Sequence, residues 1–196
     1  GPGLYTFPLF QAEFCERLMA ELAHVESSLP GELKTRPNSM NKKGLILNDV
    51  PAFAAWAESL ISTYVHSLAA TFFPDCTGRS FDAFRAFTVK YEMNQDRELG
   101  CHTDDSDVTL NVSIGGEFEG GELFFGGIRT DRTAEDHEDL VRVPHRVGVA
   151  LLHAGRHFHG AEPITSGTRT NLILWCRSSD FRATRCPCCF MYSRGG

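Results

Sequence analysis

Apolar positions recur at helical spacing in the first part of the chain and at alternating spacing beyond residue 80. Over residues 11–27, Phe14, Leu18, Leu22 and Val25 fall on successive turns, the stripe of an amphipathic helix. Pro51 suits the first turn of a second helix, where its missing N–H is not needed. Phe53, Trp56, Leu60, Tyr64, Leu68 and Phe72 then make one stripe, which Pro74 ends. Both stripes predict helices packed against a sheet. Residues 36–49 between them are polar, glycine-bearing and without period, which predicts a loop.

After Pro74 the period changes to two. Residues 84–93 form an apolar-rich strand. Residues 108–114 alternate strictly: Val108, Leu110, Val112 and Ile114 face one way, and Thr109, Asn111 and Ser113 the other. Gly120 and Gly121 precede a strand over 122–125, and strands over 140–143, 147–153 and 169–176 follow. Short strands joined by glycine-bearing turns, with no helix between them, predict an antiparallel sandwich or jelly roll. The fold class is therefore α+β. A double-stranded β-helix (jelly-roll, cupin-like) core spans about 80–180, with two N-terminal helices, within about 8–74, packed on one sheet. One domain is expected over residues 4–182. Gly1, Pro2 and Gly3 have the composition of a protease-cleavage remnant. Residues 130–139 read as an acidic insertion loop, and residues 183–196 as a tail bearing Cys186, Cys188 and Cys189.

Composition narrows the function. The 196 residues are 42% hydrophobic and 22% charged, enough for one sizeable core. The net charge of −6 disfavours nucleic acid and anionic membrane surfaces as partners, since both select a basic face. No apolar run reaches the length of a membrane span. Seven cysteines are an odd number, and 15 phenylalanines supply a core that needs no disulfides, so an intracellular, reducing compartment (cytoplasm or nucleus) is expected. A zinc site in the tail would need a fourth ligand, and none is obvious.

The candidate chemistry lies in His102 and Asp104. Residues i and i+2 of a strand share a face, so both can reach one metal from a single strand end. A third ligand must come from elsewhere, and His153, His157 and His159 are the candidates. Two imidazoles and one carboxylate on one face of a metal leave positions open for a substrate, the facial triad of non-haem Fe(II) oxygenases; the same donors also accept Zn or Ni.

The order of these residues resembles the 2-oxoglutarate and Fe(II)-dependent oxygenases, in the branch that holds the prolyl and lysyl hydroxylases. That family carries His-x-Asp, a distal histidine, and a basic residue ten positions later; His159 and Arg169 have this spacing. Residues 151–156, 167–169 and 108–114, with Gly120 and Gly121, are similar to the lysyl hydroxylase end of the family. The resemblance implies that His102, Asp104 and His159 hold Fe(II). It implies that Arg169 binds the C5 carboxylate of 2-oxoglutarate with two parallel hydrogen bonds, and that Tyr91 donates to the same carboxylate. Asn111 and Asn171 are placed to contact the cosubstrate, and Leu123 and Phe125 to wall its pocket. Asn171 stands where many members carry serine or threonine. The implied reaction is hydroxylation of a protein or peptide side chain of prolyl or lysyl type, with O₂ and 2-oxoglutarate giving succinate and CO₂ and ascorbate as a reductant. Position and composition put substrate contacts in the 36–49 loop, at Arg36, Asn38 and Asn41.

Three other readings compete. One is a non-catalytic jelly-roll module that binds a metal or 2-oxoglutarate for regulation. Another is a nucleobase demethylase, suggested by Arg169, Asn171 and Leu172. In those enzymes a second arginine falls six residues after the first, and here that position is Trp175. The third is a cupin-type metalloenzyme without a keto acid, which would have no use for Arg169.

Overall fold

Alternation of inward and outward side chains draws the chain into two antiparallel sheets, which the computed structural model describes over residues 3–30, 36–129 and 140–184. In chain order the elements are β1 (Leu4–Pro8), α1 (Ala12–Ser28), α2 (Pro51–Leu60), α3 (His66–Phe72), β2 (Ala83–Glu92), β3 (Leu99–His102), β4 (Val108–Gly115), β5 (Phe118–Gly120), β6 (Leu123–Ile128), β7 (Val141–Val143), β8 (Val149–Ala154), β9 (His157–Ala161), β10 (Ile164–Arg177) and α4 (Ser179–Thr184). The larger sheet runs β1-β8-β4-β10-β2, with β5 paired to the start of β10. The smaller sheet runs β3-β9-β6-β7. The α+β class and the jelly-roll core expected from the sequence are borne out.

The strand alternation assigns two cores. Val108, Leu110, Val112 and Ile114 of β4, with Leu172 and Leu174 of β10, face outward from the larger sheet and meet Leu18, Leu22, Leu60 and Val65 of the helical layer. The opposite face carries Phe87, Val89 and Tyr91 of β2 and Ile173 of β10, which meet Leu123, Phe125 and Ala161 of the smaller sheet. Thr109, Asn111 and Ser113 lie on this inner face and are buried too. A strand with polar residues buried on its inner side marks where the core gives way to a site.

The first helical stripe holds at Leu18 and Leu22, and Phe53, Trp56 and Leu68 of the second pack against the core, but the most buried positions of the second lie one residue further on. In α1 the buried residues are Cys15, Leu18 and Leu22, while Phe14 is 39% exposed. A π-helical turn over Ile61–Val65 joins α2 to α3 and adds a residue to the turn. The buried face therefore runs Ala57, Leu60, Ile61, Val65 and Ala69, and Tyr64, expected in the stripe, is 59% exposed. Phe72 is 36% exposed and stacks on Tyr5, with ring centroids 3.9 Å apart. β1 has no counterpart among the expected strands: it pairs with β8 and extends the sheet before the first helix.

The 36–49 stretch is loop-like only in its first half. Thr88 N–H donates to Leu45 O, Ile46 bridges to Phe87, and Leu45 and Leu47 are buried. Gly1, Pro2, the acidic 130–139 insertion and the cysteines Cys186, Cys188 and Cys189 lie outside the described residues.

Candidate metal centre

β3 and β9 pair with His102 opposite His159, which brings the two imidazoles to 4.3 Å between ring centroids. Asp104 follows the end of β3 in a turn pinned to the other strands: its N–H donates to Gly155 O at 2.8 Å, and Gly155 N–H donates to Asp107 O at 3.0 Å. His102 Nε2 lies 3.4 Å from Asp104 Oδ1, and His159 Nε2 lies 3.6 Å from Asp104 Oδ2. Among the described residues, His102, Asp104 and His159 form the cluster whose ligand atoms all lie within 4.8 Å of one another.

The hydrogen bonds behind these residues fit a metal. His102 Nδ1 lies 2.8 Å from Gly100 O, and His159 Nδ1 lies 2.8 Å from His157 O. A carbonyl can only accept, so each Nδ1 carries the proton and each Nε2 turns its lone pair toward the shared point. Thr109 donates its hydroxyl to Asp104 Oδ2 at 2.6 Å, and Ser106 Oγ lies 2.6 Å behind Thr109 Oγ1. Burial opposes the charge on Asp104, but protons on the facing Nε2 atoms, that of His159 first and then that of His102, outweigh it and hold the carboxyl well below the usual carboxylate range; a metal cation would take the place of those protons. The set is two imidazoles and one ionised carboxylate, a donor set that suits Fe(II).

Of the other two candidate histidines, His153 stands beside the cluster with its Nε2 toward Asp104, and His157 turns away. His153 is fully buried; its Nδ1 donates to Ala154 O at 2.9 Å, and its Nε2, 3.9 Å from Asp104 Oδ2, has no hydrogen-bond partner. His157 Nε2 meets Gly126 O at 3.0 Å. Burial lowers the pKa of His153 to about 3 and that of His157 to about 4.

A pocket with an empty volume of about 410 Å³, its open mouth included, reaches His102, Asp104 and His159. Tyr91, Asn111, Leu123, Asn38 and Asn41 line it, as does Trp175, whose buried Nε1 has no hydrogen-bond partner. Three expectations need adjustment. Arg36 is exposed and outside the lining; it braces the loop by donating from Nε to Asn41 O at 3.3 Å. Phe125 is not in the lining either, and instead stacks on His159 at 5.4 Å and 15°. Asn171 is also outside it: its Nδ2 donates to Asn111 Oδ1 at 2.7 Å, and its Oδ1 accepts from Arg169 Nε at 2.9 Å.

Arg169 is wholly buried and sits behind the lining residues Tyr91 and Asn111. Its guanidinium carbon lies 5.4 Å from the Tyr91 ring centroid and 5.5 Å from that of Phe118. Nη1 donates to Gly121 O and Nη2 donates to His145 Nδ1 at 2.9 Å. Gly121 has φ of +67°, and an added Cβ would stand 3.2 Å from Arg169 Nη1, so a side chain there would be strained and would crowd the guanidinium. Each of these hydrogen-bond partners of Arg169 is uncharged, and no ion pair joins it to a carboxylate of the described residues. A buried cation without a counter-ion costs stability unless an anion joins it.

His145 and Thr109 are site residues that the sequence does not mark as such. Thr109 is legible as an inner-face residue of a strand, though not as a partner of Asp104. His145 lies between strands, where no period marks it.

A jelly roll with a His-x-Asp and distal-His cluster between its sheets defines a class, and comparison with known proteins agrees. Residues 1–78 match the OGFOD2-like domain. The chain is 44% identical over 186 residues to the 2-oxoglutarate and iron-dependent oxygenase domain-containing protein 2 of Danio rerio, covering 95% of this chain and 53% of that one. It belongs to the family of 2-oxoglutarate and iron-dependent oxygenase domain proteins. The chain spans about half the length of the curated relatives it matches. Among solved structures, a Pseudomonas putida prolyl-4-hydroxylase shares the fold with a TM-score of 0.62 at 14% identity, over 90% of this chain and 93% of that one. A Trichoplax adhaerens prolyl hydroxylase, solved with a hypoxia inducible factor peptide fragment, shares it with a TM-score of 0.59 at 15% identity, over 93% and 86%.

Proposed function

We propose that this chain is an Fe(II)- and 2-oxoglutarate-dependent dioxygenase that hydroxylates a protein or peptide side chain. The observation that carries the reading is the convergence of His102, Asp104 and His159 within one inter-sheet layer that also holds Arg169, a buried cation lacking a carboxylate partner. His102, Asp104 and His159 would hold the iron. When bound, the iron and the keto acid supply an oxidation in which O₂ and 2-oxoglutarate give succinate and CO₂ while a substrate C–H becomes C–OH.

The protein's own part is orientation and exclusion of water. The Nδ1 hydrogen bonds of His102 and His159 fix ring tilt and tautomer. Thr109 restricts Asp104 by occupying one carboxylate oxygen, which leaves the other freer to ligate. Arg169 is the residue to take the distal carboxylate of the keto acid, with Tyr91 beside it; a guanidinium can offer two parallel N–H bonds where a lysine cannot. Leu123, Val89 and Ile173 give the pocket an apolar wall, which would limit water beside the reacting groups. Asn38 and Asn41 reach the pocket from the 36–49 loop and are the candidate substrate contacts. A peptide substrate is supported by the resemblance to prolyl and lysyl hydroxylases and by the peptide-bound fold relative. The net charge of −6 weighs against a nucleic-acid substrate.

The test is oxygen-dependent conversion of 2-oxoglutarate to succinate with Fe(II) and ascorbate, compared between wild type and His102→Ala. Turnover in air, absent without oxygen and absent in the variant, is the expected result. Metal-dependent 2-oxoglutarate binding with no turnover across a peptide library would favour a regulatory module instead.

A further inference from the structure

We propose that His145 is a positioning residue for Arg169: it holds the guanidinium through an uncharged lone pair, so that the guanidinium's charge stays free for a ligand carboxylate. The inference rests on the reading of Arg169 as the keto acid's carboxylate site.

His145 lies between β7 and β8 and is 7% exposed. Its Nδ1 stands 2.9 Å from Arg169 Nη2 and 3.3 Å from Asn171 Nδ2. Both neighbours are donors, and neither of those nitrogens can accept. Nε2 lies 3.2 Å from Val149 O, an acceptor, and 3.2 Å from Ser113 N–H, a donor. Two donors at Nδ1, one of them a cation, outweigh the single donor at Nε2, so Nδ1 keeps the lone pair and the ring proton sits on Nε2, directed at Val149 O. A proton on Nδ1 would face two N–H groups and a guanidinium at once. Burial and Arg169 together lower the imidazole's pKa to about 3, in keeping with a ring that remains neutral.

The guanidinium is thus gripped at each nitrogen: by Asn171 Oδ1 at Nε, by Gly121 O at Nη1 and by His145 Nδ1 at Nη2. Arginine has five N–H bonds, and these contacts leave one on each terminal nitrogen. A carboxylate engages such a pair in parallel when both N–H bonds point past Cζ, away from Nε. A carboxylate at the place of His145 would grip the guanidinium more tightly, but it would also supply the anion that the ligand is meant to bring. Imidazole gives direction without neutralisation. A primary amide would do the same, whereas an acid would compete with the ligand.

The experiment measures binding of 2-oxoglutarate to the Mn(II)-loaded protein by calorimetry, for wild type, Arg169→Ala, His145→Gln and His145→Glu. The Gln variant should bind within about threefold of wild type, and the near-isosteric Glu variant about thirtyfold or more weaker, because its anion pairs with Arg169. Mn(II) affinity should be the same in all, since the triad is separate. In an Arg169→Ala background the Glu substitution should cause no further loss, which a merely structural role would not produce. Glu and Gln variants that bind alike would overturn the inference. A wild type that binds while Arg169→Ala does not, with His145→Glu unaffected, removes this inference and leaves the proposed function standing. A wild type that binds no 2-oxoglutarate removes both. A second measurement needs no variant: ¹⁵N NMR of the wild-type imidazole should show the neutral Nε2–H tautomer, and an Nδ1–H form would contradict the proposal.

Discussion

Thr109 lines the pocket beside Asp104, and its hydroxyl decides how that carboxylate is presented. It donates to Asp104 Oδ2 at 2.6 Å with Ser106 behind it. Thr109→Val keeps the shape and removes the donor, so metal affinity should fall about tenfold or more, while Thr109→Ser should restore it. Equal Mn(II) dissociation constants for Val and Ser variants would refute that role. His145 makes a second prediction, on pH. Its pKa lies near 3 in the fold against an ordinary value of 6.5, because burial and Arg169 oppose a second cation. The unfolded chain takes up that proton below about pH 6.5 and the folded chain does not. The group's full contribution to stability is present above pH 6.5 and is lost as pH falls toward 3, at about 1.4 kcal/mol per pH unit. Between pH 7.5 and pH 5, His145→Gln should lose about 2 kcal/mol less than wild type in urea unfolding; equal losses would show that His145 is not buried neutral. At this scale the sequence is readable where spacing carries chemistry, as in His102, Asp104, His159 and Arg169. It is opaque where a residue's role comes from a neighbour distant in the chain. Asn171 is an example: its neighbours Arg169 and Asn111 are both visible, but the relay between them exists only once β4 and β10 are paired.

At the scale of elements, the triad depends on how closely β9 approaches β3. Gly160 lies between His159 and Ala161, and an added Cβ would stand 2.5 Å from Leu99 O and 2.3 Å from the Phe124 ring. Gly160→Ala must therefore push β9 from β3 or displace Phe124. Unfolding stability should drop by roughly 1–3 kcal/mol and Mn(II) affinity should fall with it. Leu172→Ala makes the contrast. It opens a cavity under the helical layer, on the face of β10 away from the pocket, and should cost about 2–5 kcal/mol while leaving metal affinity nearly intact. If both variants lowered metal affinity alike, the separation of the two cores would be wrong. The strict alternation of β4 makes its two faces legible in the amino-acid sequence. The helical faces are less so, because the π-turn over Ile61–Val65 inserts a residue that a 3.6-residue stripe cannot anticipate. β1 is hidden for another reason: five residues beside a helix gain their strand character by pairing with β8, not from their own pattern.

At the scale of the whole molecule, the helical layer stiffens one sheet from behind while the smaller sheet closes over the other face, and the site lies between. Ligands bound there should stabilise the folded state as a unit. Mn(II) with 2-oxoglutarate at about a hundred times its dissociation constant should raise stability by about 2.7 kcal/mol, read as a higher unfolding temperature, and His102→Ala should abolish the rise. Everything proposed for this protein requires metal and keto acid to meet at one place. The measurement that tests this most directly is an anaerobic titration of the Fe(II)-loaded protein with 2-oxoglutarate, following the visible charge-transfer absorption of an iron-chelated keto acid. A saturable band is expected in wild type, none in His102→Ala, and a much weaker saturation in Arg169→Ala. An Fe(II)-loaded wild type that develops no band at any 2-oxoglutarate concentration would contradict the proposed function.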